Sequence, residues 1–340
     1  MILVTGGAGY VGSVLVNELL NKGEAVRIVD KLYFGDAHLK NIRNRLEIIQ
    51  ADIRNIDESV LDNINAVIHL AGLSNDPTAE YNPKANYEIN TWATEKLAKL
   101  CKKKGIKRFI FASTCSIYDK GIYSQDILKD EKSEVSPRAA YAVSNYDAEQ
   151  ILLSLSDDNF CPVILRKGTV YGFSPRMRYD LVVNTFLKDA VTKGILTVFC
   201  GGEMWRPLVD VSDAARAFIC CVEAPEEKVK GQIFNVVYKN YRVLELAHWV
   251  KEAIKNKIKM DIEVDYNYAK ARSYRVAGDK IECVLGFKCI VPVKESVLNM
   301  YEKIYEYGYT DFLHPKYYNI QWMTLLDEME KTIKQIGSVF

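Results

Sequence analysis

Short apolar runs recur along the chain at residues 2–4, 25–29, 46–50, 66–70, 108–112 and 163–166, each no longer than a strand. Between several of them the apolar positions take helical spacing, most clearly over 85–104 and 141–155. Strand-length runs alternating with helices predict an α/β fold, a doubly wound parallel sheet with helices on both faces. After about residue 170 the pattern changes. A helix over 181–192, a strand over 197–199, a helix over 213–222, a strand over 233–236 and a helix over 244–256 predict a smaller mixed α/β lobe, interleaved with the end of the sheet. The sheet domain is therefore expected at 1–170, with some later segments returning to it. The C-terminal lobe and a helical tail occupy 171–340. The tail pattern runs over 320–336, and the tyrosines before it (Tyr301, Tyr305, Tyr307, Tyr309, Tyr317 and Tyr318) read as packing residues.

The first thirty residues change this picture from architecture to chemistry. An apolar strand runs into Thr5-Gly6-Gly7-Ala8-Gly9-Tyr10-Val11-Gly12, then an amphipathic helix, then a second strand ending at Asp30. Strand, glycine turn, helix, strand and acid together form a dinucleotide-binding fingerprint of the Rossmann type. Gly6 allows the tight turn, Gly9 lets backbone approach a pyrophosphate, and Gly12 lets helix pack on strand. The helix N-terminus offers free N–H groups and a partial positive charge to phosphates. Asp30 is placed to accept from an adenosine ribose and to repel a 2′-phosphate, which favours NAD over NADP. Lys31 beside it weakens that preference. Asp52 and Ile53 follow the third strand, where a carboxylate either accepts from an adenine amino group or caps a helix. Leu70, Ala71 and Gly72 end the fourth strand, where small residues let a cofactor lie against the backbone. His69 reads as a packed core residue and Asn90 as a residue shaping the sheet edge.

Bulk composition narrows the field. Of 340 residues, 49% are hydrophobic, enough for a large core, and the formal net charge is +1. No long block of one charge appears, which argues against nucleic-acid binding. No apolar run reaches the ~20 residues of a membrane span, and the N-terminus lacks a signal-peptide pattern. The eight cysteines form no C-x-x-C pair and suit a reducing cytoplasm. The histidines show no metal-ligand spacing.

Candidate catalytic groups follow the fifth strand. Residues 109–118 run from buried apolar positions into Ser113, Thr114, Cys115 and Ser116, and Tyr141 opens a helix with Ser144 and Asn145 one turn on. A phenol abstracts a proton from a sugar hydroxyl if nearby positive charge lowers its pKa from about 10. Thr114 could orient the same hydroxyl. Equally, these are a hydroxyl-rich strand end and an interface tyrosine.

The glycine turn, Asp30, Asp52-Ile53, His69-Leu70-Ala71-Gly72, the strand end at Thr114, Tyr141, the run 166–172 and the segment 205–213 together resemble the nucleotide-sugar epimerase/dehydratase family of extended short-chain dehydrogenases/reductases. The resemblance covers at least residues 1–280. It implies NAD as cofactor, a nucleotide-diphosphate sugar as substrate, hydride taken from a sugar ring carbon, a keto intermediate and hydride return. It assigns Ala112 and Lys167 to the cofactor side, with Tyr141 and Asn145 also touching it. Arg206 and Arg272 match the family arginines that grip a diphosphate, and Asn184 resembles an asparagine near it. Ser74, Asn75, Thr114, Cys115 and Thr169 fall where family members contact the sugar, although Ser74 and Asn75 could be a polar turn. Arg176 and Arg178 are additional cations in the substrate loop, facing solvent or selecting a charged substrate. The helices over 85–104 and 141–155 resemble a family dimer bundle, so a homodimer is expected.

Two departures carry weight. The family pattern Tyr-x-x-x-Lys is here Tyr141-x-x-x-Asn145, so no lysine lowers the phenol pKa unless another, such as Lys167, stands in. At the strand end, the acid pair of the family's dehydratases is replaced by Cys115 and Ser116, which argues against dehydration. The reading is an NAD-dependent epimerase. A dehydrogenase or keto-sugar reductase, and a binding protein impaired by Asn145, stay open beside it.

Overall fold

In the computed structural model, which describes residues 1–119, 127–267 and 272–337, seven parallel strands form the central sheet. They are β1 (Ile2–Thr5), β2 (Val26–Asp30), β3 (Leu46–Gln50), β4 (Ala66–His69), β5 (Arg108–Thr114), β7 (Cys161–Lys167) and β11 (Gln232–Val236), in spatial order β11-β7-β5-β4-β1-β2-β3. The order reverses between β1 and β4. At such a switch point the crevice lies beyond the carboxyl ends of the strands. The register Thr5↔Val29 and Thr5↔His69 puts Asp30 and Leu70 on either side of the glycine turn. Thr114↔Lys167 brings the ends of β5 and β7 level.

Helix α1 (Tyr10–Asn21) covers one face of the sheet. Its Leu15, Val16 and Leu19 share a core with Phe218 of α7 (Val211–Glu223) and with Val163 and Phe234 of the sheet. The other face is covered by α4 (Ala93–Lys103) and α5 (Ala140–Ser154), whose Leu97, Cys101 and Leu152 pack on Leu3, Val67 and Phe109. The helix expected over 85–104 is divided. After α2 (Asp76–Tyr81) comes α3 (Pro83–Tyr87), started by Pro83 and an Asn82 cap, then a π turn at Glu88–Trp92 ahead of α4. The wide turn presents Asn90 and Thr91 inward, where their side chains bond Leu73 and Ser144.

The second lobe has its own core. Its α6 (Val182–Lys193), α9 (Val243–Ile254) and α11 (Val293–Glu306) pack through Phe186, Leu246 and Met300. Beside them β8 (Thr169–Tyr171), β10 (Trp205–Asp210) and β12 (Lys239–Arg242) form a three-stranded sheet. The strand expected over 197–199 is β9 (Ile195–Val198), parallel to β13 (Asp261–Val264), and Phe199 stands exposed beyond it. Short elements β6 (Leu128–Lys129), α8 (Glu226–Val229), β14 (Arg275–Val276) and α10 (Asp279–Leu285) join these layers. The tail helix α12 (Asn319–Ile336) lies against α2 and the loop after β2, where Tyr81 donates to Asp327 and Trp322 to the Tyr33 carbonyl. Tyr309 and Tyr317 pack on Phe173 and Tyr179, as their composition suggested. Among the described residues no helix is long and apolar enough to cross a membrane, and no His/Cys/Asp/Glu cluster is placed to hold a metal ion.

One buried ion pair locks α5 to the sheet. Arg166 of β7 and Glu149 of α5 meet at 2.6 Å with side chains 3% and 0% exposed, and Tyr118 and Ser113 complete their bonding. Removing one member strands the other charge in a dry interior. Glu149→Ala is therefore expected to cost about 3–5 kcal/mol of unfolding free energy. Urea denaturation measures this, and a loss under ~1 kcal/mol would mean that water reaches Arg166.

Candidate active site

A cleft of ≈ 410 Å³ opens at the switch point, and most of the residues singled out from the sequence line it. At one end is the glycine turn. Gly6 has φ +71°, and a Cβ there would lie 2.7 Å from Ala71 N, so the two loops touch backbone to backbone. A Cβ on Gly12 would overlap the Gly6 carbonyl. Gly9 caps α1 with no side chain, leaving the first amides to the cleft. Val11 lines the same wall. Asp30 is aimed by two amides, Ala8 N to Oδ2 at 3.0 Å and Leu32 N to Oδ1 at 2.8 Å. Burial raises its pKa while those amides oppose the rise.

Asp52 borders the cleft but is the helix-cap alternative: it accepts from Arg54 N at 3.0 Å and pairs with Arg54 and Lys31 at 2.6 and 2.8 Å. Those partners hold its carboxyl well below the usual range. Ile53, Leu70, Ala71 and Gly72 line the cleft beside it. Asn90 shapes that edge: its Oδ1 accepts from Leu73 N at 2.8 Å and its Nδ2 donates to Leu73 O. His69 is core, fully buried between Thr5 and Thr94, and burial pushes its pKa down to about 3.

The reacting groups lie further along. Thr114 ends β5, and its Oγ1 accepts from Ser116 N at 3.1 Å. Its own proton is thereby free for the Tyr141 phenol, to which it is hydrogen-bonded. Tyr141 is half-buried on the first turn of α5. Burial, and then the Asp76 charge, push its pKa up to about 12, while Thr114 and Arg178 pull it down. Asn145, one turn on, donates from Nδ2 to Tyr141 O at 2.8 Å and brings no charge. Lys167 does not replace the missing lysine. Its Nζ donates to Ser113 O at 2.8 Å, burial pushes its pKa down to about 8, and the cation acting on Tyr141 is Arg178. Ala112 and Lys167 line the cleft near this point.

The far end is built by the second lobe. Thr169, Arg206 and Arg272 line it. Arg206 donates to the Arg272 carbonyl, and the Arg272 guanidinium pairs with Asp76 and Asp119. Ser74 and Asn75 also line the cleft, and Asn75 is the polar turn that caps α2 through Thr78 N.

Two placements correct the sequence reading, and two more decide between alternatives it left open. Cys115 is wholly buried with Sγ toward the Arg166 carbonyl, and Ser116 faces the cleft instead. Asn184 is a buried bracket rather than a diphosphate contact. It bonds Gly172 N, the Arg178 carbonyl and the Tyr10 hydroxyl, so that Tyr10, itself bonded to Gly172 O, joins α1 to the second lobe. Arg176 and Arg178 are not solvent-facing: they are 5% and 6% exposed. Arg176 stacks on Phe34, at the Asp30 end of the cleft. Sequence reasoning missed Asp76, although it adjoins Asn75, and missed Asn319 and Met323 of α12, which close the cleft, Asn319 bonding Ser74 from 245 positions away.

The glycine turn, the aimed carboxylate and the backbone contact fit a dinucleotide. Consistent with them, the model of the "NAD dependent epimerase/dehydratase family" matches residues 2–236. The chain belongs to the NAD-dependent epimerase/dehydratase family. It is 31% identical over 242 residues to the UDP-N-acetyl-α-D-glucosaminuronate decarboxylase of Bacillus cytotoxicus, covering 69% of this chain and 74% of that one. Among solved structures it is similar to the UDP-glucose 4-epimerase of Thermotoga maritima with UDP-glucose, at TM-score 0.77 and 25% identity over 90% of this chain and 98% of that one. It is equally similar, at TM-score 0.77 and 25% identity over 90% and 99%, to the UDP-glucuronic acid 4-epimerase of Bacillus cereus with UDP-glucuronic acid and NAD. The proteins it is similar to thus include both epimerases and a decarboxylase. NAD is its cofactor.

Proposed function

We propose that the protein is a nucleotide-sugar epimerase that oxidises a hexose ring carbon transiently and returns the hydride. The observation that carries this reading is the Thr114–Tyr141 pair at the centre of a cleft with a dinucleotide turn at one end and two arginines at the other. Tyr141 takes the proton from a ring hydroxyl and later gives it back, while Thr114 holds that hydroxyl and the phenol in line. Bound NAD supplies the hydride acceptor, its return donor and a positive charge when oxidised. Asn145 offers an amide to a ribose hydroxyl. Arg206 and Arg272 grip the substrate diphosphate, Arg272 by exchanging Asp76 and Asp119 for phosphate oxygens. Trp92, 56% exposed beside α4, suits the homodimer face of this reading.

One observation favours elimination as a second reading. Asp76 lines the cleft, acts on Tyr141, and its buried Oδ1 has no hydrogen-bond partner among the described residues. Freed from Arg272, it would serve as the base that removes a C–H proton in loss of water. Chromatography with mass spectrometry on a panel of nucleotide hexoses and hexuronates separates the readings. A new peak of unchanged mass is expected. A change of two hydrogens would replace the epimerase with a dehydrogenase or reductase, loss of water would make Asp76 the working base, and loss of carbon dioxide would replace the epimerase with a decarboxylase.

A further inference from the structure

Arg176 is a buried cation that no carboxylate touches among the described residues. Its Nη2 donates to Asn319 Oδ1 at 2.7 Å, its guanidinium lies 3.5 Å from the Phe34 ring centroid, and its Nε has no partner among the described residues. The two nearby acids are engaged elsewhere. Asp180 is held by both sides of the Arg178 fork at 2.7 and 2.9 Å, and Asp30 is held by backbone amides. Burial and the like charge of Arg178 push the Arg176 pKa down to about 9. A guanidinium buried without an anion is costly, and this one borders the cleft.

Its position says which anion is missing. Phe34 lies four residues beyond Asp30, and the charges of Asp30 and Tyr10 act on Arg176, so it belongs to the glycine-turn end. We infer that Arg176 binds the pyrophosphate of the resident dinucleotide, from the wall opposite the glycine turn, and that Asn319 of α12 is its positioning residue. A planar fork suits paired phosphate oxygens, and the amides of α1 approach the same group from the other side. Asn319 is itself fixed by Asp180, which accepts from its backbone N at 3.0 Å, and by Ser74, whose Oγ accepts from Nδ2 at 3.0 Å. The same cation could instead meet a 2′-phosphate or a substrate diphosphate. Asp30 repels the first, and the second belongs to the end held by Arg206 and Arg272. The inference is independent of which sugar is turned over.

The test is calorimetric binding of adenosine, ADP-ribose, 2′-phospho-ADP-ribose and UDP to the full chain stripped of NAD, with NADH release followed by fluorescence. Arg176→Gln is expected to weaken ADP-ribose by roughly 10–100-fold and speed NADH release similarly, leaving adenosine and UDP within about twofold. Arg176→Lys should recover part of the loss. Asn319→Ala leaves Arg176 in place and should give a smaller loss of the same kind, which keeps the inference testable if Arg176→Gln does not fold. Equal losses for adenosine and ADP-ribose would reduce Arg176 to a structural role. Weakening confined to UDP, or to 2′-phospho-ADP-ribose, would move the cation to the substrate or to an NADP phosphate, and unchanged ADP-ribose binding would overturn the inference outright.

Discussion

Asn145→Lys is expected to raise turnover at pH 7 by roughly 100-fold and to shift the pH midpoint of the rate down by about two units. Tyr141 works as a base only when ionised, and its pKa stands at about 12. At neutral pH the active anion is therefore scarce, and the rate climbs as pH rises toward that value. Asn145 sits one helical turn from the phenol and carries no charge. A unit charge ~5 Å away, at an effective dielectric of ~20, is worth about 3 kcal/mol, some two pKa units. The lysine would stabilise the anion, so the sign is a lower pKa and more base at neutral pH. Arg178 already acts on the phenol in this sense, but burial and Asp76 outweigh it. Steady-state rates between pH 6 and 10 for both proteins decide the matter. Overlapping profiles would show that charge at position 145 does not reach the phenol.

Tyr141→Phe should lower turnover by about 10³-fold while NAD remains bound. The ring keeps its packing at the start of α5, and only the hydroxyl shared with Thr114 is lost. General acid–base groups contribute roughly 10²–10⁴-fold, and the central value applies because Tyr141 is the phenol bonded to Thr114 in the cleft. Product formation and NAD content are measured on the same preparation. Activity within tenfold of the parent would hand the proton transfer to another group, with Asp76 the first candidate.

The parts of this site legible in the sequence are those set by local geometry. Gly6, Gly9, Gly12 and Asp30 lie within one strand–helix–strand unit, so spacing alone brings them together. The strand end at Thr114 and the helix start at Tyr141 were legible in the same way. What failed was side-chain direction and long-range pairing. Thr114 and Cys115 are neighbours, yet one faces the cleft and the other the Arg166 carbonyl, because β5 ends at Thr114 and the chain turns into a 3-10 helix at Cys115. Asn184 was placed near the ligand, but its amide is consumed joining three backbone and hydroxyl groups that only the folded lobe brings together. Arg176 looked like a loop cation because nothing near it in the chain foretells Phe34. The buried Arg166–Glu149 pair escaped because α5 shows little amphipathic contrast: its inward face carries Ser144, Asn145 and Glu149.

The contact between Ser74 and Asn319 has a temporal meaning as well. During synthesis from the N-terminus, the glycine turn and Asp30 emerge well before Ser74. The wall carrying Asn319 emerges 245 positions after Ser74. Closing so long a loop comes late, because its entropy must be met before the contact rewards it. A nascent chain short of this helix would already display a dinucleotide turn but lack the far wall of its cleft. This later-made helix is thus the one that turns an open nucleotide groove into an enclosed site, and cofactor capture follows its emergence rather than guiding the fold of the sheet.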